Sequence, residues 1–206
     1  FTFSFTPFNG AALDSYDAET GDLNNDGYLD AVIRVDGTNQ LRVFFGNGNG
    51  TFQSAVSLTL GNSTNGEIAL SDFNHDGYID IAAANGSRID IFSSNASRTY
   101  GSSTALTTSG TVNSLKARDM NGDGIADLAA FYSSGLGVFN AVGDGTFGSA
   151  VSAGVTISSS TSKALGDFNG DGVLDILSPN IGGTGDLFIA STTRSTSLQY
   201  MSLFNQ

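Results

Sequence analysis

The sequence predicts an all-β fold: a β-propeller of about four blades, preceded by one extra N-terminal strand. Three observations predict it. A nine-residue pattern, D-x-N-x-D-G-x-x-D, occurs four times, starting at Asp22, Asp72, Asp119 and Asp167. Self-similarity at a period of roughly 40–50 residues marks propellers and solenoids. Each copy also lies among short segments of strand character, about four per unit, which is the content of one blade. Only two Pro occur, and no stretch carries the spacing of an amphipathic helix of useful length.

The units fall at about 15–66, 67–114, 115–162 and 163–206. A strand leads into each loop: 15–20, Glu67 to Leu70, Leu115 to Ala117, and Lys163 to Leu165. After the loop comes a short apolar run, Ala31-Val32-Ile33, Ile81-Ala82-Ala83, Leu128-Ala129-Ala130 or Ile176-Leu177, the last cut short by Ser178 and Pro179. Apolar runs of this length between turn signals suit buried strands. The next strand is Leu41–Phe45, Ile89–Phe92, Gly137–Phe139 or Asp186–Ile189. Two units then show a glycine turn, Gly46–Phe52 and Gly143–Phe147, and a last strand closes each unit: Phe52 to Leu60, Tyr100 to Thr107, Phe147 to Ile157, Leu198 to Phe204. The N-terminal segment 1–14 begins with strict apolar–polar alternation from Phe1 to Thr6. It reads as a half-buried strand that must be covered by its own domain or by another subunit, since an exposed apolar strand promotes edge-to-edge association. Strand exchange of this kind, repeated head to tail, would build a filament.

The repeated loop has the chemistry of a calcium site. Calcium takes six to eight oxygen ligands, and alternate positions 1, 3 and 5 of a tight loop can supply them. In the four copies these are Asp22, Asn24 and Asp26; Asp72, Asn74 and Asp76; Asp119, Asn121 and Asp123; and Asp167, Asn169 and Asp171. Glycine at position 6 allows a turn at positive φ. Position 7, which is Tyr28, Tyr78, Ile125 or Val173, offers only its backbone carbonyl, so its side chain is free to vary. Position 9, which is Asp30, Asp80, Asp127 or Asp175, closes the shell. The loop is not an EF-hand, which needs Glu at position 12 and a following helix; position 12 here is Ile33, Ala83, Ala130 or Ser178. Asp, Asn and Gly favour turns in any protein, but four copies with every ligand position kept argue for up to four Ca²⁺ ions.

Composition agrees. The formal net charge is −12, and twelve of the 20 acidic residues are loop aspartates. The acidity excludes nucleic acid, which wants a basic surface. There is no Cys and one His, so soft-metal sites are excluded. No apolar run is long enough for a membrane span, and no signal-peptide pattern is present, so the chain reads as a processed or excised piece. Millimolar calcium outside cells suits modules of this kind, which places the protein in the extracellular space or on the cell surface. Asn49, Asn62, Asn85 and Asn95 each open an N-x-S/T triplet, a possible glycosylation signal.

The G-D-x-N-x-D-G-x-x-D block with its trailing G-N-G-T-F or G-D-G-T-F resembles the FG-GAP/VCBS repeats of integrin α-subunits and of many secreted bacterial proteins. The resemblance covers about 15–206. It implies calcium held in blade loops on one face of a propeller, usually with a structural role. Integrin-type propellers have seven blades, whereas four loops are visible here.

No nucleophile elbow, P-loop or zinc motif is present, and His75 sits at position 4 of the second loop, where a side chain should face solvent. The expected function is non-catalytic: a structural or adhesive building block whose partner is itself, another surface protein or a glycan. The alternative is a lectin-like module, for which an exposed aromatic should recur in every unit. Tyr28 and Tyr78 recur at position 7, but Ile125 and Val173 break the series. A third reading is an accessory propeller domain of a larger secreted protein.

Overall fold

The computed structural model describes residues 15–152 except 96, 98, 133 and 134, together with 164–167, 175–181, 186–191 and 199–202. The expected N-terminal strand at 1–14 lies outside the described residues. Four four-stranded antiparallel sheets are seen, each a meander of consecutive strands. Blade 1 comprises β1 (Ser15–Gly21), β2 (Asp30–Val35), β3 (Gln40–Phe44) and β4 (Val56–Thr59). Blade 2 comprises β5 (Ile68–Ser71), β6 (Asp80–Ala84), β7 (Arg88–Phe92) and β8 (Thr104–Thr107). Blade 3 comprises β9 (Val112–Arg118), β10 (Asp127–Tyr132), β11 (Gly135–Phe139) and β12 (Val151–Ser152). Blade 4 comprises β13 (Ala164–Gly166), β14 (Asp175–Ile181), β15 (Asp186–Ser191) and β16 (Gln199–Ser202).

The first strand of each blade is innermost. β1 packs beside β5, and β5 beside β9. These strands and Leu165 of β13 line a central cavity of about 460 Å³, with Glu19, Lys116 and Arg118 among its polar walls. The propeller architecture is thus observed, with the loops leaving the ends of the inner strands.

Two segments differ from the sequence reading. β14 does not stop at Leu177 but runs to Ile181 through Ser178 and Pro179, with a register shift between Pro179 and Ile181. Its described pairing with β13 ends at Leu177, so Pro179 lies beyond that ladder, where a missing N–H is tolerated. The outermost strands are also shorter than expected. Phe52 and Phe147 form isolated bridges to Gly46 and Ala141, and regular pairing resumes only at Val56 and Val151.

The core lies between blades, not within one. Leu23, Val32, Leu41, Val43 and Leu58 of blade 1 pack against Ile68, Ile81, Ala83 and Phe92 of blade 2. Phe73, Ala82, Ala84 and Ile89 of blade 2 pack against Leu115, Leu128, Ala130 and Phe139 of blade 3. A sheet covered on both faces needs apolar residues at every position, and β6 and β10 are accordingly buried throughout. β2 instead alternates buried and half-buried. The small side chains of Ala82, Ala83 and Ala84 let the neighbouring blades approach.

Candidate functional site: the acidic loops

Three of the four predicted loops are described, and they share one construction. In the first, Asp26 N–H donates to Oδ1 of Asp22 (3.1 Å) and of Asn24 (2.9 Å), Gly27 N–H to Asp22 Oδ2 (2.8 Å), and Tyr28 N–H to Asp26 Oδ1 (3.0 Å). The second repeats this with Asp76, Gly77 and Tyr78 as donors and Asp72, Asn74 and Asp76 as acceptors. The third differs in one bond, Asp119 Oδ1 taking Gly122 N–H at 2.7 Å, while Asp123, Gly124 and Ile125 donate as their counterparts do. Positions 1, 3 and 5 are thereby drawn together over one turn of backbone. Glycine at position 6 takes positive φ in all three (84°, 88° and 89°), as expected.

Position 4 also lies in the left-handed region, at φ 55° for Asn25, 59° for His75 and 78° for Gly122. Asn, His and Gly tolerate that conformation better than most residues, so the residue types at this position carried a signal that the sequence reading passed over. His75 is exposed, as anticipated. Asn25 does more than face solvent: its Nδ2 donates to the carbonyl of Gly77 in the next loop at 2.6 Å.

Position 9 has a role of its own. Asp30, Asp80 and Asp127 are at most 1% exposed. Each carboxylate accepts one N–H from position 2 of its own loop, Leu23, Phe73 or Met120. Its other oxygen accepts an N–H at the end of the third strand, Gly46, Ser94 or Ala141. The residue is therefore a latch between the loop and the strand exit, and each oxygen keeps a lone pair for a further partner. Burial, opposed by these hydrogen bonds and reinforced by the nearby aspartates at positions 5 and 1, raises the pKa of all three, to about 6 for Asp80 and Asp127.

The chemistry of the set fits a hard cation: three carboxylates and one amide oxygen per loop, with no sulfur or ring nitrogen among them. Of the fourth loop, Asp167 is exposed and Asp175 opens β14; Asn169, Asp171 and Val173 lie outside the described residues.

Other residues support the loops without having been singled out from sequence. Position 2 is an anchor, since Leu23, Phe73 and Met120 are buried, and Phe147 of blade 3 packs on Phe73 of blade 2 at 5.4 Å. In the glycine turns, Gly48 lies against the Tyr28 ring and Gly143 against Ile125, so position 7 rests on a backbone without Cβ. Two acidic residues five positions before the loop also tie blade to blade. Asp17 accepts the N–H of Ile68 (2.7 Å). Glu67 accepts from Leu115 N–H (3.1 Å), the Ser114 hydroxyl (2.8 Å) and Lys116 Nζ (3.0 Å). Burial alone would raise the Glu67 pKa, but these donors outweigh it and lower it. The shared offset of Asp17 from Asp22 and of Glu67 from Asp72 was the available clue. Among the triplet asparagines, Asn85 is fully buried and donates to Asp90, so its triplet is structural, whereas Asn49 is exposed.

The profile of the FG-GAP-like repeat family matches residues 22–83, 72–130 and 119–178. No curated protein matches the chain. Solved structures do. An Agrocybe aegerita lectin, studied for its specific recognition of non-reducing terminal N-acetylglucosamine, shares 21% identity at a TM-score of 0.63 over 91% of this chain and 51% of its own. BBS1N, crystallised with ARL6DN and soaked with lead, shares 17% at 0.61, over 90% and 55%. A Photorhabdus luminescens Tc holotoxin pore shares 16% at 0.52, over 89% and 9%. The chain spans about half the length of the first two and a small part of the third. At these identities the likeness speaks for the fold alone. With the family profile running from 22 to 178 over blades that carry its acidic loops, the chain belongs to the FG-GAP-like repeat family.

Proposed function

We propose that this chain is a calcium-stabilised, non-catalytic propeller module that works outside the cell as a structural or adhesive building block. The observation that carries the reading is the repetition of one acidic loop at one edge of successive blades, with the bonds from position 5 to position 3 and from position 6 to position 1 kept in each described copy. Positions 1, 3 and 5 would hold the ion with the carbonyl of position 7 and the carboxylate of position 9. Bound calcium offsets three clustered negative charges and ties the inner strand to the second strand. Its contribution is then one of folding free energy, about 2.7 kcal/mol per site at a hundredfold excess over the dissociation constant. Thermal melting in millimolar calcium and in EDTA tests this. A large fall in Tm on chelation is expected, and an unchanged curve overturns the reading. Asp123→Ala should lose one ion by calorimetric titration.

Self-assembly through the segment 1–14 belongs to the same proposal and rests on its apolar alternation. Negative-stain electron microscopy distinguishes filaments that dissolve in EDTA from discrete particles, and the latter would remove assembly from the proposal. The likeness to a lectin fold supports a second reading, glycan recognition. Position 7 does not support it as the site, since Tyr28 is half exposed but its counterpart in blade 3 is Ile125.

A further inference from the structure

A cleft of about 390 Å³ opens at the rim between blades 1 and 2. One wall is β4, with Ser57, Leu58 and Thr59; the other is the segment 100–103 that leads into β8, and Phe92 completes the lining. Ligand pockets begin at about this size. Among the described residues the wall carries no charged side chain and is rich in hydroxyls: Ser57, Thr59 and Ser102 are exposed and Ser103 is half-buried.

One of these hydroxyls is set in place from beneath. The Ser103 hydroxyl donates to Asp90 Oδ1 at 3.3 Å. Asp90 is itself fully buried and held by Gly61 N–H (3.0 Å), Asn85 Nδ2 (2.7 Å) and the Arg88 guanidinium. With its proton committed, Ser103 presents lone pairs to whatever enters the cleft.

The propeller supplies its own control. The strand registers place Ala105, Leu106 and Thr107 of blade 2 where blade 1 has Ser57, Leu58 and Thr59. They place Phe147 and Ala150 of blade 3 where blade 2 has Tyr100 and Ser103, and Gly137 where it has Asp90. The rim between blades 2 and 3 thus keeps the shape positions and drops Ser57, Ser103 and the carboxylate behind it. The blade 2–3 interface packs without these groups. Asp90 and Ser103 also serve the buried network between blades 1 and 2, whereas Ser57 and Ser102 are exposed at the cleft.

We infer that this cleft is a binding site for a neutral carbohydrate, whose hydroxyls exchange hydrogen bonds with Ser57, Thr59, Ser102 and Ser103 beside the aromatic residue Tyr100. No cation lines the cleft among the described residues, and the chain's net charge of −12 disfavours acidic glycans. The inference rests on the glycan reading above, and the site on the propeller and not on the metal.

The test uses the whole chain in calcium buffer on an array of neutral and acidic oligosaccharides, followed by titration calorimetry with the best neutral glycan. Two variants accompany it. Ser57→Ala with Ser103→Ala reproduces the blade 2–3 rim. Gly101→Leu fills the cleft, and a Cβ at Gly101 meets nothing within 4 Å, so this change leaves the fold intact. Retention of a neutral glycan is expected, weakened at least tenfold by the double variant and lost in Gly101→Leu at unchanged Tm. No neutral glycan bound at millimolar concentration, binding of acidic glycans only, or binding that survives both variants overturns the inference. Because melting in EDTA is read separately, failure here leaves the calcium reading standing, and the reverse also holds.

Discussion

The interface between blades 1 and 2 and that between blades 2 and 3 are built on the same strand positions with different chemistry. Both bury aliphatic and aromatic residues against the next inner strand. The first also buries charge. Arg34 of β2, with no exposed surface, donates to the carbonyls of Ala84 and Thr64 and to Asn85 Oδ1. Asn85 passes the network to Asp90, and Asp90 pairs with Arg88. Burial lowers the Arg34 pKa, while Asp90 raises it. At the corresponding positions blade 2 has Ala84, blade 3 has Phe131, and Asp90 gives way to Gly137 beneath the Tyr132 hydroxyl. Two solutions to one packing problem therefore sit side by side. An apolar interface tolerates small losses gradually, whereas a buried ionic one fails when a single partner goes.

The largest expected effect follows from that contrast. Asp90→Ala strands Arg88 and Asn85 and should cost about 3–5 kcal/mol by urea unfolding at pH 7. Phe73→Ala on the apolar side should cost a similar 3–5 kcal/mol through its cavity. Replacing Arg88 and Asp90 together by apolar residues removes both members of the ion pair and should recover part of the first loss, and no pairing of partners can do so for the second. A double-mutant cycle with no coupling between Arg88 and Asp90 would break the comparison.

Next come the carboxylates that cross each interface. Glu67→Ala leaves three donors without their acceptor and should cost about 1–3 kcal/mol. Asp17→Ala frees only the Ile68 N–H and should cost about 1 kcal/mol. Equal losses would show that the extra donors on Glu67 contribute nothing.

Gly48→Ala is a smaller test of the loop edge. A side chain at φ 72° carries about 1–2 kcal/mol of left-handed strain, and the Tyr28 ring must move as well. Gly50→Ala, at φ 83° with nothing near its Cβ, should carry the strain alone, so the difference in Tm between the two isolates the ring contact.

The pH dependence is the gentlest probe. Asp80 and Asp127 titrate near pH 6 in the fold, against about 4 when unfolded. The folded chain thus keeps protons that the unfolded chain releases between these values, so without metal its stability falls as pH rises through about 4 to 6. In EDTA, Tm should be higher at pH 5 than at pH 7. Glu67 works in the opposite sense: its lowered pKa contributes stability at neutral pH that is lost in acid. Because its pKa is lowered, Glu67 acts at more acid pH than this window, so a Tm in EDTA that climbs from pH 5 to 7 would overturn the raised pKa of the position-9 aspartates.

The sequence alone determined the repeat, the all-β class, the order of strands in each blade and the local loop geometry. These depend on residues within about ten positions of one another: Gly27 supplies positive φ, Asp22 and Asn24 cap the backbone two to five residues on, and the apolar run after Asp30 pairs with strands on either side. What only the tertiary structure decided lies between blades. That Asp17 reaches Ile68, that Arg34 is buried against Asn85, that Phe147 packs on Phe73, and that Ser57 and Ser103 line one cleft all join residues roughly 45 to 75 positions apart. Hydrophobic periodicity fixes which face of a strand is buried, but the angle at which one sheet meets the next depends on how whole faces interlock. Small residues such as Ala82–Ala84 decide how close that approach becomes, and side chains of no regular spacing are brought together only when it is complete.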